Sequence, residues 1–180
     1  MTLELAITNT PVGPMALYGL AGDLVGLTLD GEHGAEHPVE RHLVRHLGAF
    51  TVRRVPEAAG AVARLTRYFA GELNALDEQP VRLLGTDFQR DVWAALRAIP
   101  AGETRSYAAL ARSLGKPDAV RAVGAANGAN PVAVFVPCHR VIGANGSLWG
   151  YGGGLAMKQW LLRHEGAKFQ PLAAQEALPL

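Results

Sequence analysis

The chain of 180 residues has a single cysteine, Cys138. That excludes an intramolecular disulfide and any multi-cysteine zinc site, and it suits a reducing compartment. No apolar run is long enough to suggest a membrane span. The opening Met1-Thr2-Leu3-Glu4 lacks the basic start and apolar stretch of a signal peptide, so a cytoplasmic protein with no membrane partner is expected. Internal repeats and low-complexity segments are missing as well. Charge is nearly balanced, with 17 Lys and Arg against 16 Asp and Glu. The balance hides an asymmetry: residues 1–80 hold 6 basic and 10 acidic side chains, residues 81–180 hold 11 and 6. A basic second half points to nucleic acid, with the acidic half facing away; ordinary surface charge is the other reading.

What is present is apolar material, 49% of the residues, enough for a core without covalent or metal staples. Residues 2–30 read as an antiparallel meander. Leu3, Leu5 and Ile7 alternate with polar neighbours, and Pro11-Val12-Gly13-Pro14 and Ala21-Gly22-Asp23 are turn signals. His33, His37, His42 and His46 recur every four or five residues; a solvated helix face and a metal site are both open readings. Pro56 to Leu73 has helical spacing, with Ala58, Val62, Leu65, Phe69 and Leu73 on one face. Asn74 to Pro80 is polar and ends in proline, which places a domain boundary there.

The second half is mainly helical. Asp87 can cap a helix to about Ala98, with Phe88, Val92, Trp93 and Leu96 inward. Thr104 or Ser106 caps a second helix carrying Tyr107, Leu110, Ala111 and Leu114. Pro117 opens a third, to about Ala126, so the pair forms a helix-turn-helix. That third helix is built of small residues, Ala119, Ala122, Gly124, Ala125 and Ala126, around one long polar side chain, Arg121. Tight packing with Arg121 in a salt bridge and insertion into a DNA groove both fit it. Val132 to Val136 reads as a buried strand, which Pro137 ends, so that Cys138 begins a turn. A lone cysteine there is either a small buried hydrophobe or a nucleophile. His139 follows it and Glu165 lies 26 positions beyond His139. Cys, His and carboxylate in sequence of action form the general design for activating a thiol. Gly143-Ala144-Asn145-Gly146 suits a hairpin turn, Trp149 to Gly154 a backbone-exposing loop, and Leu155 to His164 a last helix stopped by Gly166.

From about Gly85 to Gly166 the chain resembles the O6-alkylguanine-DNA alkyltransferases, the methylated-DNA–protein-cysteine methyltransferases. The resemblance rests on Phe88-Gln89-Arg90-Asp91-Val92-Trp93, Ile99-Pro100-Ala101-Gly102, Ser106-Tyr107, Arg121-Ala122-Val123-Gly124, Asn130-Pro131, Pro137-Cys138-His139-Arg140-Val141 and Leu161-Leu162-Arg163-His164-Glu165-Gly166. It implies an α+β fold, which with the boundary read at Asn74 to Pro80 gives a small N-terminal sheet-plus-helix domain over 1–80 and a mainly helical C-terminal domain with a helix-turn-helix over 81–168; residues 169–180 read as a flexible tail. It implies Cys138 as alkyl acceptor, His139 taking its proton through a water, Glu165 holding the imidazole, Tyr107 protonating the departing guanine and Asn130 organising the turn. Arg121 would fill the gap left by a flipped nucleotide, with Ala122, Gly124, Gln89 and Arg90 beside DNA. Val141, Trp149, Tyr151 and Gly152 would line the base pocket.

The implied activity is single-turnover transfer from O6-alkylguanine, and secondarily O4-alkylthymine. The implied actor is a monomer in the minor groove of double-stranded DNA, with no cofactor and no metal. A lesion sensor that binds without repairing is the alternative, and a thiol hydrolase a third reading. Trp149 departs from the family's usual small or polar residue; its ring either narrows the pocket or turns outward.

Overall fold

Two tight hairpins start the first sheet. β1 (Thr2–Thr10) and β2 (Gly13–Leu20) pair antiparallel across Pro11-Val12. β2 turns into β3 (Asp23–Thr28) over Ala21 and Gly22, both left-handed at φ 52° and 88°. Consecutive positive φ values are the mark of the hairpin turn whose twist suits right-handed strands. After α1 (Pro38–Leu47), β4 (Thr51–Arg54) lies parallel to β1, completing the order β3-β2-β1-β4. All four β4 residues are exposed, so no apolar period marks this strand in the sequence.

Register decides which residues meet. Leu5 and its partner Tyr18 share a face with Leu3, Ala16 and Val25, and Leu43 of α1 seals it. Ala6, Leu17 and Leu27 are aligned on the opposite face and are buried too. Ile7 is 40% exposed, although the alternation suggested a core position. β4 pairs only with residues 2–5 of β1 and leaves this end without a neighbour. α2 (Ala61–Phe69) is shorter than its periodicity predicts, because left-handed Gly60 at φ 71° delays its start. Glu57 caps it from outside, accepting from the Val62 and Ala63 amides at 2.6 and 3.0 Å.

The four histidines serve local structure. The His37 ring accepts from the Val39 amide at the start of α1, His33 meets Arg54, and His42 stacks on His46. Among the described residues no cluster of three or more His, Cys, Asp or Glu could hold a metal ion.

The second unit begins with α3 (Asp87–Arg97). Its N-cap is Thr86 rather than Asp87: the Thr86 hydroxyl accepts from the Gln89 amide, and the Gln89 side chain accepts from the Thr86 amide. β5 (Arg105–Ser106) leads into α4 (Tyr107–Ser113), whose N-cap is Ser106, and α5 (Val120–Gly128) follows to complete the helix-turn-helix. Then come a single 3₁₀ turn at Cys138–Arg140, β6 (Val141–Ile142) and α6 (Leu155–His164). No helix among the described residues is long and apolar enough to cross a membrane.

This computed structural model describes residues 1–172, which form two compact units: 1–85 with 131–135, and 86–130 with 136 onward. Residues 80–82 run along β3, with Leu24 donating to Pro80 O at 2.9 Å and Arg82 donating to Leu24 O at 3.0 Å. Pro80, the last residue of the stretch read as a domain boundary, is thus held on the first sheet. Residues 132–136 are not a strand. They form a buried turn, with Val134 left-handed at φ 72°, and a short apolar run cannot tell the two apart. Of the expected tail, Phe169 and Leu172 pack with Ile142, Leu148 and Leu162, and Gln170 donates to Gly146 O at 2.7 Å. Residues 173–180 lie outside the described residues.

Thr86→Ala removes the hydroxyl half of the α3 capping box and should lower unfolding stability by about 1 kcal/mol, read from urea denaturation midpoints. An unchanged midpoint would assign the helix start to packing alone.

Candidate active site

Pro137 lacks an amide donor and ends the preceding turn, and Cys138 opens the 3₁₀ turn with its amide donating to Val136 O at 2.8 Å. Two asparagines clamp this bend. Asn130 Nδ2 donates to Val136 O at 2.7 Å, and Asn127 Nδ2 reaches Cys138 O at 3.5 Å. Cys138 is 5% exposed, His139 is fully buried and Arg140 is 4% exposed, so three polar residues in a row must all find partners inside.

Glu165, at the C-terminal end of α6, supplies them for His139 and Arg140. Its Oε1 meets His139 Nε2 at 2.9 Å and accepts from Arg140 Nη2 at 2.8 Å, while Oε2 accepts from Arg140 Nε at 3.0 Å. Arg140 Nη1 also donates to Ile99 O at 2.5 Å. The other ring nitrogen of His139, Nδ1, is buried with no protein partner. Tyr151 stands edge-on to the His139 ring, centroids 6.5 Å apart.

Tyr107 comes to this place through a short ladder. Arg105 and Ser106 of β5 pair parallel with Val141 and Ile142 of β6, joining the residues before Tyr107 to those just after the cysteine turn. The Tyr107 hydroxyl donates to Trp149 O at 3.4 Å. Lys158, fully buried on α6, donates to Trp149 O at 2.8 Å and Val141 O at 2.7 Å. Sequence reasoning missed Lys158, Asn127 and the role of Arg140. Their one trace in the sequence is polar residues at inward helical positions, with Lys158, Leu162 and Glu165 three and four apart on α6.

Burial dominates the electrostatics. It pushes the Cys138 thiol up, against a hydrogen bond from Asn130 and the charge of Lys158. It lowers the His139 imidazole against the pull of Glu165, and it lowers Lys158 to about 8. Burial also raises Tyr107, with the neighbouring thiol adding to it, so the phenol keeps its proton. Glu165 is the exception. Burial works to raise it, but its bonds and charge contacts with His139 and Arg140 hold it well below the ordinary carboxylate range. At rest the thiol and imidazole are therefore neutral and the carboxylate is ionised.

Among the expected nucleic-acid residues, Arg121 and Ala122 are exposed on α5 and Gly124 is half-buried. Val123 and Ala126 of the same helix face inward, and Trp93 Nε1 donates to Ala126 O at 2.8 Å. A Cβ at Gly124 would meet Tyr107 ring carbons at 3.9 Å, an ordinary contact, so packing does not demand a glycine there. Arg121 makes no ion pair among the described residues. Gln89 and Arg90 act within α3 itself: one in the capping box, the other paired with Asp87. Val141 is buried, Gly152 is exposed, and Trp149 projects outward at 62% exposure, the outward alternative for its ring.

Comparison with known proteins adds relatives to this geometry. The profile described as "6-O-methylguanine DNA methyltransferase, DNA binding domain" matches residues 87–167. A methylated-DNA–protein-cysteine methyltransferase of Mycolicibacterium paratuberculosis is 61% identical over 163 residues, 91% of this chain and 92% of that protein. A Salmonella typhimurium protein of the same name is 59% identical over 107 residues, covering 59% of this chain and 63% of its own length, so the matched part spans less than two thirds of that relative. Among solved structures, the Mycobacterium tuberculosis OGT in complex with DNA aligns with a TM-score of 0.74 and 42% identity, over 90% of this chain and 92% of the other.

Glu165→Gln leaves Arg140 as a buried charge without its carboxylate and should cost about 3–5 kcal/mol in urea denaturation at neutral pH. The folded state depresses this carboxyl from its ordinary value of 4.5. The unfolded chain therefore binds the proton first, and the stability Glu165 contributes is full above about pH 4.5 and lost as pH falls toward its depressed folded value. The Gln variant should show a shallower acid limb. Parallel limbs for the two proteins would refute the assignment.

Proposed function

The chain belongs to the methylated-DNA–protein-cysteine methyltransferase family, and on that premise we propose that it reverses O6-alkylguanine damage in DNA by moving the alkyl group to Cys138. The observation that carries the reading is the only cysteine of the chain adjoining a buried His139–Glu165 pair at 2.9 Å.

The chemistry needs those residues. At an ordinary pKa of about 8.5 only a few per cent of a thiol is ionised at neutral pH, and burial moves Cys138 further toward the neutral form. A base must therefore act as the sulfur attacks. Nδ1 of His139 is the free ring position, and it takes the thiol proton through a water while Glu165 holds the ring and stabilises the imidazolium. Sγ forms its bond to the alkyl carbon as the carbon–O6 bond breaks, and guanine departs with the electron pair. Tyr107, still protonated, gives guanine a proton and recovers one as His139 returns its own. One proton thus leaves the thiol and one reaches the base. Lys158 places a positive charge near the developing thiolate and, through the Val141 and Trp149 carbonyls, fixes the walls around it. The thioether product has no carbonyl for water to attack, so each molecule acts once.

The site must receive an extruded base, at a cost of a few kcal/mol for unstacking. α5 suits that task. Its outward residues are small, and Arg121 is exposed at its start, able to occupy the place the nucleotide vacates in the minor groove. We assign Asn130 and Asn127 to holding the bend that presents Cys138. O4-alkylthymine, action as a monomer, and a site completed by Val141, Tyr151 and Gly152 belong to the same proposal. Gln89 and Arg90, engaged within α3, are left to flank the DNA through backbone and phosphate contacts.

Incubation with O6-methylguanine duplex followed by intact-protein mass should show a gain of one methyl per chain, absent in Cys138→Ala. An unchanged mass despite tight binding would favour the lesion sensor instead. Arg121→Ala should slow repair of duplex lesions far more than reaction with free O6-benzylguanine; equal losses on both would remove the flipping role.

A further inference from the structure

Five large apolar side chains are exposed among the described residues, and Trp149 is the one that belongs to the second unit. An indole that is 62% exposed would ordinarily sample several rotamers, yet this one is tied. Its Nε1 donates to Ser147 Oγ, and that hydroxyl donates to Asn145 Oδ1 at 2.6 Å. The network sits against backbone that has no room for a side chain. A Cβ on Gly143 would lie 2.5 Å from Ser147 Oγ, 2.7 Å from Trp149 Nε1 and 2.9 Å from Asn145 Oδ1. The Trp149 backbone is fixed as well, its carbonyl accepting from Lys158 and Tyr107. A wide, flat, apolar surface is thus held in one orientation beside the residue proposed to protonate guanine.

We propose that Trp149 is a stacking contact for a nucleobase of bound DNA, outside the pocket that accepts the alkylated base. The inference rests on the DNA-repair reading and adds a binding residue to it. In duplex DNA each base face is covered by its neighbours, and apolar side chains reach it from the minor groove by wedging between base steps and partly unstacking them. A pre-oriented indole thus adds affinity with little base preference. The exposed guanidinium of Arg121 and the basic excess of residues 81–180 supply the phosphate attraction that brings DNA to the same unit. Withdrawal of the indole into the thiol pocket would require breaking the bond to Ser147.

The test uses the full chain, with undamaged and O6-methylguanine duplexes as probes. Tryptophan emission should fall when either duplex is added. Most of that quench should vanish in Trp149→Phe, because Trp93 is fully buried and Trp160 lies against His164. Trp149→Ala should weaken duplex binding about 5- to 100-fold by anisotropy, the range that base–aromatic stacking supports, with Trp149→Phe recovering much of the loss. Unchanged affinity in Trp149→Ala, or a quench that survives in Trp149→Phe, overturns the proposal. So does faster reaction of Trp149→Ala with free O6-benzylguanine at unchanged DNA affinity, which would make the ring a wall of the pocket. Should Trp149→Ala fail to fold, Ser147→Ala decides, since it keeps the ring and frees it: weaker duplex binding supports the proposal, wild-type binding overturns it. Binding to undamaged duplex needs no transfer, so a protein that binds through Trp149 while its mass stays unchanged would defeat the transfer reading alone.

Discussion

One buried carboxylate organises the second unit. Glu165 bonds His139 through one oxygen and Arg140 through both, and it does so from the end of α6, far along the chain from the turn that carries its partners. An imidazole and a guanidinium taken from water at almost no exposure would be costly without such a partner. With it, the 3₁₀ turn can hold His139 and Arg140 inside and still direct both. Its hydrogen bond with His139 and then its ion pair with Arg140 outweigh burial and keep Glu165 ionised, as an acceptor for both.

Around that pair the site is assembled from short pieces of chain held by backbone bonds. The two-residue ladder of β5 and β6 sets Tyr107 and Cys138 relative to each other. Lys158 joins Val141 to Trp149 through their carbonyls, and Asn130 and Asn127 hold the approach to the thiol. None of these pieces is long, so precision comes from buried polar bonds rather than from regular structure. The same burial keeps the thiol and imidazole uncharged at rest. A resting thiolate would react indiscriminately; in the reaction proposed above, the thiol ionises only as its proton leaves through His139, and so only where a substrate is held.

Much of this was legible in the residues. Capping residues and turn glycines located α3, α4 and α6 closely, and the meander showed in the alternation of Leu3 and Leu5 and in Ala21-Gly22. Cys138 stands out because it is alone and His139 because it adjoins it, while the part of Glu165 comes from the resemblance to the family rather than from its spacing. What stayed hidden depends on contacts between distant residues. β4 has four exposed residues and no pattern, so only pairing with β1 makes it a strand. The run from Val132 to Val136 has strand composition, yet tertiary burial folds it into a turn with Val134 at φ 72°. Lys158 looks like any surface lysine until α6 is packed, when its position on the inner side gives it two carbonyls instead of water. The motif marks Gln89 and Arg90 as DNA contacts, and it carries no sign that both also bond locally in the first turn of α3.

The route of the chain near the site has a consequence for any attempt to dissect the protein. Residues 131–135 belong to the first unit, although the sequence on either side of them belongs to the second. Val132, Val134 and Phe135 are 0%, 1% and 3% exposed there, and the backbone carbonyl of Pro131 takes the amide of Leu27. A fragment cut at residue 86 would carry these apolar side chains away from their seat and present them to water three positions before the cysteine. Such a fragment would be sticky at the very bend that carries the cysteine.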